Sequence, residues 1–292
     1  MLRTLTAAFA LLAFATPALS QDALREAVAA YDQPSNAERL AVLTGQLEAA
    51  GLDYEIQTFE GGGRAGAMTG SNVIVTLGEG ERDLLLTAHY DAVVLPSGDL
   101  ADGLVDNAAS TVALIEAAKV LSGRDLDHRV RVIFFDQEEL GLIGASRWIE
   151  ANGTDHVAAV VNSDVAAFGD ALMYGENNGE RSAFVLTALR EECADRALTC
   201  VGFPVYPPSD DRAFIAAEVP VVSIGFQNRV GAHQMWLAFN GGENPGLAQG
   251  FVPEVFQLIH SEGDVIEAVD PATVALAAEV YADLITRLDA AQ

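Results

Sequence analysis

The sequence contains very little positive charge. Lys119 is its only lysine, and 16 basic residues stand against 42 acidic ones, which gives a formal net charge of −26. A surface of this charge repels the phosphates of nucleic acids and the anionic face of a membrane. We therefore expect neither as a partner. The charge would favour metal ions and protonated amines as ligands, or it serves solubility alone, and charge by itself does not choose between the two.

Cysteine is also scarce, since the chain has only Cys193 and Cys200. Two thiols are too few to supply the usual ligand set of a structural zinc site. Because the two cysteines are close in sequence, they predict a short-loop disulfide if the protein is exported. The alternative is a pair of free thiols.

The apolar run near the start of the chain is too short for a membrane anchor. Arg3 precedes an apolar stretch at 5–14, and Ala-Leu-Ser at 18–20 forms a small-residue cleavage site. This order is typical of a signal peptide, so we predict a signal peptide at 1–20 and a mature domain at 21–292. The expected location is periplasmic or secreted, and a monomer is the working expectation.

Apolar strand-like runs alternate with helical ones along the rest of the chain. Strands are predicted at 54–59, 72–77, 84–88, 130–135, 157–161 and 219–225, and helices at 36–51, 107–121, 182–194 and 272–288. This alternation predicts a three-layer α/β domain with a central mixed, largely parallel sheet and helices on both faces.

The most informative stretch is 130–146, V-R-V-I-F-F-D-Q-E-E-L-G-L-I-G-A-S. Its β-branched and aromatic residues predict a buried strand that passes into an amphipathic segment at Glu138 and Glu139. In open α/β sheets, ligands bind at the carboxyl ends of the strands. One of two adjacent carboxylates there can hold a metal while the other moves a proton. Alone, the pair is more typical of a solvated acidic helix start.

Other ligand-type side chains stand in comparable places. His89 and Asp91 follow one predicted strand, Asp164 ends another, and Asp106 and His260 precede predicted helices. Each is ambiguous alone, because an aspartate before a helix is ordinarily an N-cap. Together with the glutamate pair, the two histidines and the carboxylates match the donor set of a two-metal hydrolase.

Five motifs in this order resemble the M28 zinc aminopeptidases. They are T-A-H-Y-D at 87–91, G-L-V-D-N-A-A-S at 103–110, F-F-D-Q-E-E-L-G-L-I-G-A at 134–145, N-S-D at 162–164 and I-H-S-E-G-D at 259–264. The resemblance implies that two zinc ions are bound and that Asp106 bridges them. His89 and Asp164 would complete one ion, and Glu139 and His260 the other.

The resemblance also implies the reaction. A water between the ions would attack the carbonyl of the first peptide bond of a peptide with a free N-terminus. Glu138 would be the general base, and Asp91 would hold His89 in position. One departure concerns Asp211, in P-S-D-D-R-A-F at 208–214. It stands where a histidine is usual in the family, which puts a substrate contact from that position in doubt.

Three histidines and several aromatic residues remain outside these motifs. Segment 226–257 contains His233, Trp236, Phe239 and Phe251. We predict either that it lines a pocket for the substrate side chain or that it is a surface excursion. His128 and His156 lie beside strands without partner motifs, so we predict structural or surface roles for them.

Four other functions fit parts of the pattern. The M20 peptidases share the order of ligands but usually insert a further domain before the last histidine, for which residues 165–259 leave little room. Glutaminyl cyclases share the α/β fold but use one zinc ion. A binding module without activity would be expected to lack ligands, which this chain retains. A serine hydrolase of this class would carry Gly-x-Ser-x-Gly, and the chain has no such stretch.

Overall fold

Helices and strands alternate along residues 19–291, the part of the chain that the computed structural model describes. The predicted signal peptide lies outside the described residues except for its last two. The helices are α1 Gln21–Ala29, α2 Asn36–Ala50, α3 Ala109–Leu121, α4 Ile143–Asn152, α5 Ala183–Asp195, α6 Asp211–Ala216, α7 Arg229–Asn240, α8 Val255–Leu258 and α9 Pro271–Ala290. None of these helices is both long enough and apolar enough to cross a bilayer.

The strands form one eight-stranded mixed sheet. They are β1 Tyr54–Gly61, β2 Met68–Leu77, β3 Asp83–His89, β4 Arg129–Phe135, β5 Val157–Ser163, β6 Ala171–Gly175, β7 Thr199–Phe203 and β8 Val221–Gln227. Their order across the sheet is β1-β2-β4-β3-β5-β8-β6-β7. Strands β4, β3, β5 and β8 are mutually parallel neighbours, whereas β1 and β2 pair antiparallel at one side.

Successive residues of the central strands face opposite layers of helices. Leu84 and Leu86 of β3 pack in a core with residues of α1, α2, α3, α5 and α9. Leu85, between them, packs in a second core with Trp148 of α4 and Phe214 of α6. This period of two is what a strand buried on both faces requires. The predicted three-layer α/β architecture with a mixed, largely parallel sheet is therefore confirmed.

The predicted helix boundaries beside the acidic residues are wrong at two places. The helix after β4 begins at Ile143 rather than directly after Glu139, because Gly141 and Leu142 have positive φ angles of 114° and 61° that interrupt a right-handed helix. The helix predicted from 107 begins at Ala109, after a π-helical turn Leu104–Ala108. Asp106 lies inside that turn, and the residue at the N-cap of α3 is Ala108, so Asp106 is not an N-cap.

Cys193 and Cys200 form a disulfide, as predicted. It joins the end of α5 to β7 across a sequence separation of 7 residues. We expect the double variant Cys193→Ser with Cys200→Ser to lower the free energy of unfolding by about 2 kcal/mol, since an open loop gives the unfolded chain more conformational entropy. Urea denaturation of the oxidised protein and of the variant measures this. Equal unfolding midpoints and slopes would contradict the expectation.

Candidate metal centre

All seven residues singled out by the sequence lie at one edge of the sheet. His89 is the last residue of β3, Glu138 and Glu139 follow β4, and Asp164 follows β5 directly. These three strands are parallel neighbours, so their carboxyl ends meet at this edge. The π-helical turn brings Asp106 to the same place.

Asp106 lies between the two histidines. Its Oδ1 atom is 3.1 Å from His89 Nε2, and its Oδ2 atom is 3.3 Å from His260 Nε2. His260 Nε2 also lies 3.1 Å from Glu139 Oε2. Two groups of donor atoms result, each with all its atoms within 4.8 Å of one another: His89 with Glu138 and Asp164, and Asp106 with Glu139 and His260.

Asp91 holds the histidine and the glutamate pair in a fixed relation. Its Oδ1 atom is 3.4 Å from His89 Nδ1, the ring nitrogen that faces away from Asp106. The same carboxylate accepts hydrogen bonds from the backbone N–H groups of Glu138 (3.1 Å) and Glu139 (3.2 Å). A carboxylate behind a histidine fixes the tautomer and orientation of the ring. Asp91 does this while it also positions the next two candidate residues.

Asp264 performs a similar task for Asp106, and sequence reasoning missed it. Its carboxylate accepts hydrogen bonds from the N–H groups of Val105 (2.5 Å) and Asp106 (3.2 Å), and burial raises its pKa to about 7. Asp264 ends the motif I-H-S-E-G-D that contains His260. Its place in that motif could have indicated a role at the site. The residues that it contacts could not be predicted, because they are far away in sequence.

Burial dominates the electrostatics of the acidic residues. It raises the pKa of Glu138 well above its ordinary value and that of Asp164 to about 7. Burial would also raise the pKa of Asp106, but hydrogen bonds with His260 and His89 outweigh it, so this pKa is lowered. The site therefore combines one carboxylate that stays ionised with others that can hold a proton near neutrality.

Backbone strain is concentrated at this edge. Six non-glycine residues among the described ones have positive φ angles, and four of them lie at the site: Gln137, Leu142, Val165 and His260. For a β-branched residue such as Val165 this conformation is a genuine outlier. Strain of this kind persists where the surrounding structure imposes it, most often around functional residues.

A cavity of about 480 Å³ opens beside the acidic residues. Its lining is mainly apolar and includes Met173, Tyr206, Met235, Phe239 and Phe256. The predicted pocket role of segment 226–257 thus holds for part of the segment.

Three of the segment's named residues lie elsewhere. His233, Trp236 and Phe251 are not among the lining residues. Trp236 instead donates a hydrogen bond to the carbonyl of Gly202, and His233 contacts the carbonyl of Arg229.

Asp211, at the position of the usual histidine, does not line the cavity. It is 1% exposed, and it accepts hydrogen bonds from the backbone N–H of Ser209 (3.0 Å) and the side chain of Asn177 (3.5 Å). Both hydrogen bonds hold the Asp211 carboxylate within the protein, and a substrate contact from this position stays in doubt. Its role there is to close the loop before α6.

Burial raises the pKa of Asp211 from 3.8 to about 6. The folded state then keeps a proton that the unfolded chain releases between about pH 4 and pH 6, so this residue makes the free energy of unfolding fall as pH rises through that window. We expect Asp211→Asn to be more stable than the wild-type protein above pH 6, by up to about 3 kcal/mol, and the gain to vanish near pH 4. Urea titrations of metal-free protein across this range measure the difference, and a gain independent of pH would contradict it.

The two remaining histidines, for which structural or surface roles were predicted, both lie beside aspartates that are outside the five motifs. His128 Nδ1 lies 2.9 Å from Asp289 Oδ1, and His156 Nε2 lies 3.3 Å from Asp83 Oδ2. Asp83 begins β3, at the end of the sheet opposite the acidic edge.

Comparison with known proteins gives one family. The model of Peptidase family M28 matches residues 72–285. Aminopeptidase YwaD of Bacillus subtilis is 38% identical over 65 residues, which are 22% of this chain and 13% of that protein. The chain therefore spans only a small part of that relative.

Solved structures share the fold over nearly the whole chain. A Zn-dependent exopeptidase from Parabacteroides distasonis superposes with a TM-score of 0.71 at 17% identity, over 92% of this chain and 98% of that one. A glutaminyl cyclase from Porphyromonas gingivalis superposes with a TM-score of 0.71 at 19% identity, over 94% of this chain and 99% of that one. At these identities the likeness is one of fold.

Proposed function

The chain belongs to peptidase family M28, and from that membership we propose that it is a zinc-dependent aminopeptidase, which hydrolyses the first peptide bond of peptides with a free N-terminus. The observation that carries the proposal is the position of Asp106, with one carboxylate oxygen near each histidine. A carboxylate placed in this way suits a bridge between two ions. The proposal therefore includes two zinc ions.

The donor set fits zinc. Imidazole nitrogens and carboxylate oxygens are its common protein ligands, and catalytic sites use three of them for each ion. One buried carboxylate oxygen at the site, Glu139 Oε1, has no hydrogen-bond donor among the described residues. A buried polar atom without a partner is costly, so this oxygen is suited to a cation. His89 and Asp164 would hold one ion, Glu139 and His260 the other, and Asp106 both.

Bound zinc polarises the substrate carbonyl and makes water at the site more acidic. The protein's own groups then move the protons. Glu138 takes a proton from the attacking water and returns it to the nitrogen of the leaving peptide. A base that does both needs a pKa close to the working pH, and burial raises that of Glu138 in this direction. Asp91 keeps His89 oriented while this happens.

The acidic edge and the cavity supply the substrate contacts. A protonated α-amino group is attracted by the carboxylates around Asp106 and Glu139. The side chain of the first residue enters the cavity beside them, where Met173, Met235 and Phe239 offer an apolar surface. The reacting carbonyl is thereby brought next to Glu138.

We also propose that the protein is exported. The leader-like pattern at 1–20 supports this, as does the disulfide between Cys193 and Cys200, since disulfides persist mainly in oxidising compartments. Fractionation of cells that express the full chain, with the N-terminus of the processed protein determined, tests it. Unprocessed protein in the cytoplasm would contradict export.

A second candidate is glutaminyl cyclisation, because a cyclase shares the fold over most of the chain. A peptide that begins Gln-Leu distinguishes the two reactions. Mass spectrometry of the product is expected to show free glutamine and a peptide shortened by one residue. A pyroglutamyl peptide of unchanged length together with released ammonia would instead establish the cyclase.

A further inference from the structure

Arg39 is a buried cation close behind the metal centre. It lies in the first turn of α2 and is 0% exposed. A buried guanidinium is costly unless its N–H groups are satisfied. Among the described residues, no carboxylate forms an ion pair with Arg39, and all its hydrogen bonds go to backbone carbonyls. The sequence analysis gave it no role.

Two of the carbonyls that Arg39 binds belong to the segments that carry metal-ligand candidates. Its Nε atom donates to the carbonyl of Tyr90 at 2.7 Å, and Tyr90 stands between His89 and Asp91. Its Nη2 atom donates to the carbonyl of Gly103 at 3.0 Å, where the turn that contains Asp106 begins. One planar group thus joins the end of β3 to the turn of Asp106.

The remaining donors anchor the same guanidinium. Its Nη1 atom donates to the carbonyls of Asp102 (2.6 Å) and Tyr31 (2.7 Å), and its carbon lies 5.4 Å from the centre of the Tyr31 ring. Five N–H groups in a rigid fork can bind several acceptors at fixed angles, which a lysine ammonium cannot do. The fork therefore has little freedom to turn.

A second residue of α2 holds the other side of Asp91. Asn36 accepts a hydrogen bond from the backbone N–H of Ala92 at 2.9 Å and donates to the carbonyl of the same residue at 3.3 Å. Asn36 and Arg39 are three residues apart and share one face of the helix. The start of α2 thus holds the chain on both sides of Asp91.

The turn that begins at Gly103 packs closely against Ala92 and Arg39. A Cβ atom added at Gly103 would lie 2.6 Å from the Cβ of Ala92 and 3.2 Å from Nη1 of Arg39, and the φ angle of Gly103 is 60°. Glycine is favoured here because its φ angle is positive and because a side chain would collide with Ala92, with the guanidinium close behind. Burial lowers the pKa of Arg39, and the nearby Tyr31, Asp91, Asp264 and Asp106 oppose that lowering without cancelling it.

We propose that Arg39 is a positioning residue for the metal centre: it fixes the separation of His89 and Asp106 by binding the carbonyls of Tyr90 and Gly103. The proposal rests on the proposed function in that it takes these two side chains to be metal ligands. It assigns the start of α2 a part in forming the site. An ion then meets ligands that are already in place.

The test compares metal binding by the whole protein and its variants. Metal-free wild-type protein, Arg39→Lys, Asn36→Ala and Leu47→Ala are titrated with zinc in competition with a coloured chelator, and their Co²⁺ complexes are recorded in the visible range. We expect Arg39→Lys to weaken zinc binding about 10- to 100-fold and to change the Co²⁺ spectrum, as for other residues behind metal ligands. Asn36→Ala is expected to show a smaller change in the same direction.

Leu47→Ala controls for stability. Leu47 is on the same helix, and its apolar side chain packs in the core and makes no hydrogen bond to the segments of the site. We expect this variant to unfold at a lower temperature but to keep wild-type zinc affinity and the wild-type Co²⁺ spectrum. If Arg39→Lys and Asn36→Ala behave like Leu47→Ala, the positioning role is overturned.

The same measurements separate this proposal from the proposed function. Wild-type protein that binds zinc but hydrolyses no peptide would contradict the function, while the affinities of the variants would still decide the role of Arg39. Wild-type protein that binds no zinc would overturn both.

Discussion

Glu138→Gln is expected to lower kcat about 100- to 10,000-fold and to retain both metal ions. An amide of the same shape cannot accept the proton of the attacking water, and general base catalysis contributes rate factors of this size. Leucine p-nitroanilide hydrolysis gives kcat, and elemental analysis of the same sample gives the metal content. A low kcat with full metal content identifies Glu138 as a base, whereas a low kcat with lost metal identifies it as a ligand.

That separation matters because Glu138 also lies within a possible donor group with His89 and Asp164. Loss of one metal ion from Glu138→Gln would identify it as a ligand instead. Glu262→Gln is the matched control, since Glu262 is exposed and lies in the motif of His260. It is expected to keep kcat within about twofold.

Asp106→Ala is expected to have the second largest effect. Asp106 is the candidate that faces both histidines, so its removal would take a ligand from each of the two proposed ions. We expect zinc affinity to fall more than about 100-fold, beyond the range seen when residues behind the ligands are changed. Peptide hydrolysis is expected to fall to background at micromolar zinc.

The metal titration described for the Arg39 variants measures this affinity. Asp99→Ala, a change at an exposed aspartate in the loop before the turn, is the control and is expected to bind zinc as the wild-type protein does. Asp106→Ala protein that retains two tightly bound ions would contradict a bridging role. If the variant retains one ion, Asp106 is a ligand of the other ion alone.

The residues of the site could be predicted because the sheet supplies a rule for where they meet. His89, Glu139 and Asp164 each follow a strand whose apolar run is plain in the sequence, and the three strands are parallel neighbours. Their side chains must then come to one edge. His260 and Asp106 do not follow a strand, so this rule does not place them, and they enter the prediction through their position before predicted helices and their fit to the donor set.

The parts that could not be predicted depend on contacts between distant residues. Strands β6 and β7 have five residues each, too few to give a period, and they exist because they pair with β8 and with each other. The roles of Asp264 and Arg39 rest on backbone groups more than 50 residues away. No local pattern records such bonds.

The start of α4 shows a different limit. The amphipathic pattern after β4 continues through residues 140–142, yet the backbone there has positive φ at Gly141 and Leu142. Before these residues, Asp91 binds the N–H groups of Glu138 and Glu139 and so holds both glutamates at the edge of the sheet. A local helical preference thus yields to the placement of two carboxylates.

The zinc content of the folded wild-type chain tests the account most directly. Metal-free protein is dialysed against micromolar zinc, freed of excess metal and analysed for zinc and protein together with leucine p-nitroanilide hydrolysis. We expect two zinc ions per chain and activity that rises as the ions are restored. One ion per chain at saturation, or activity unchanged by removal of the metal, would contradict it.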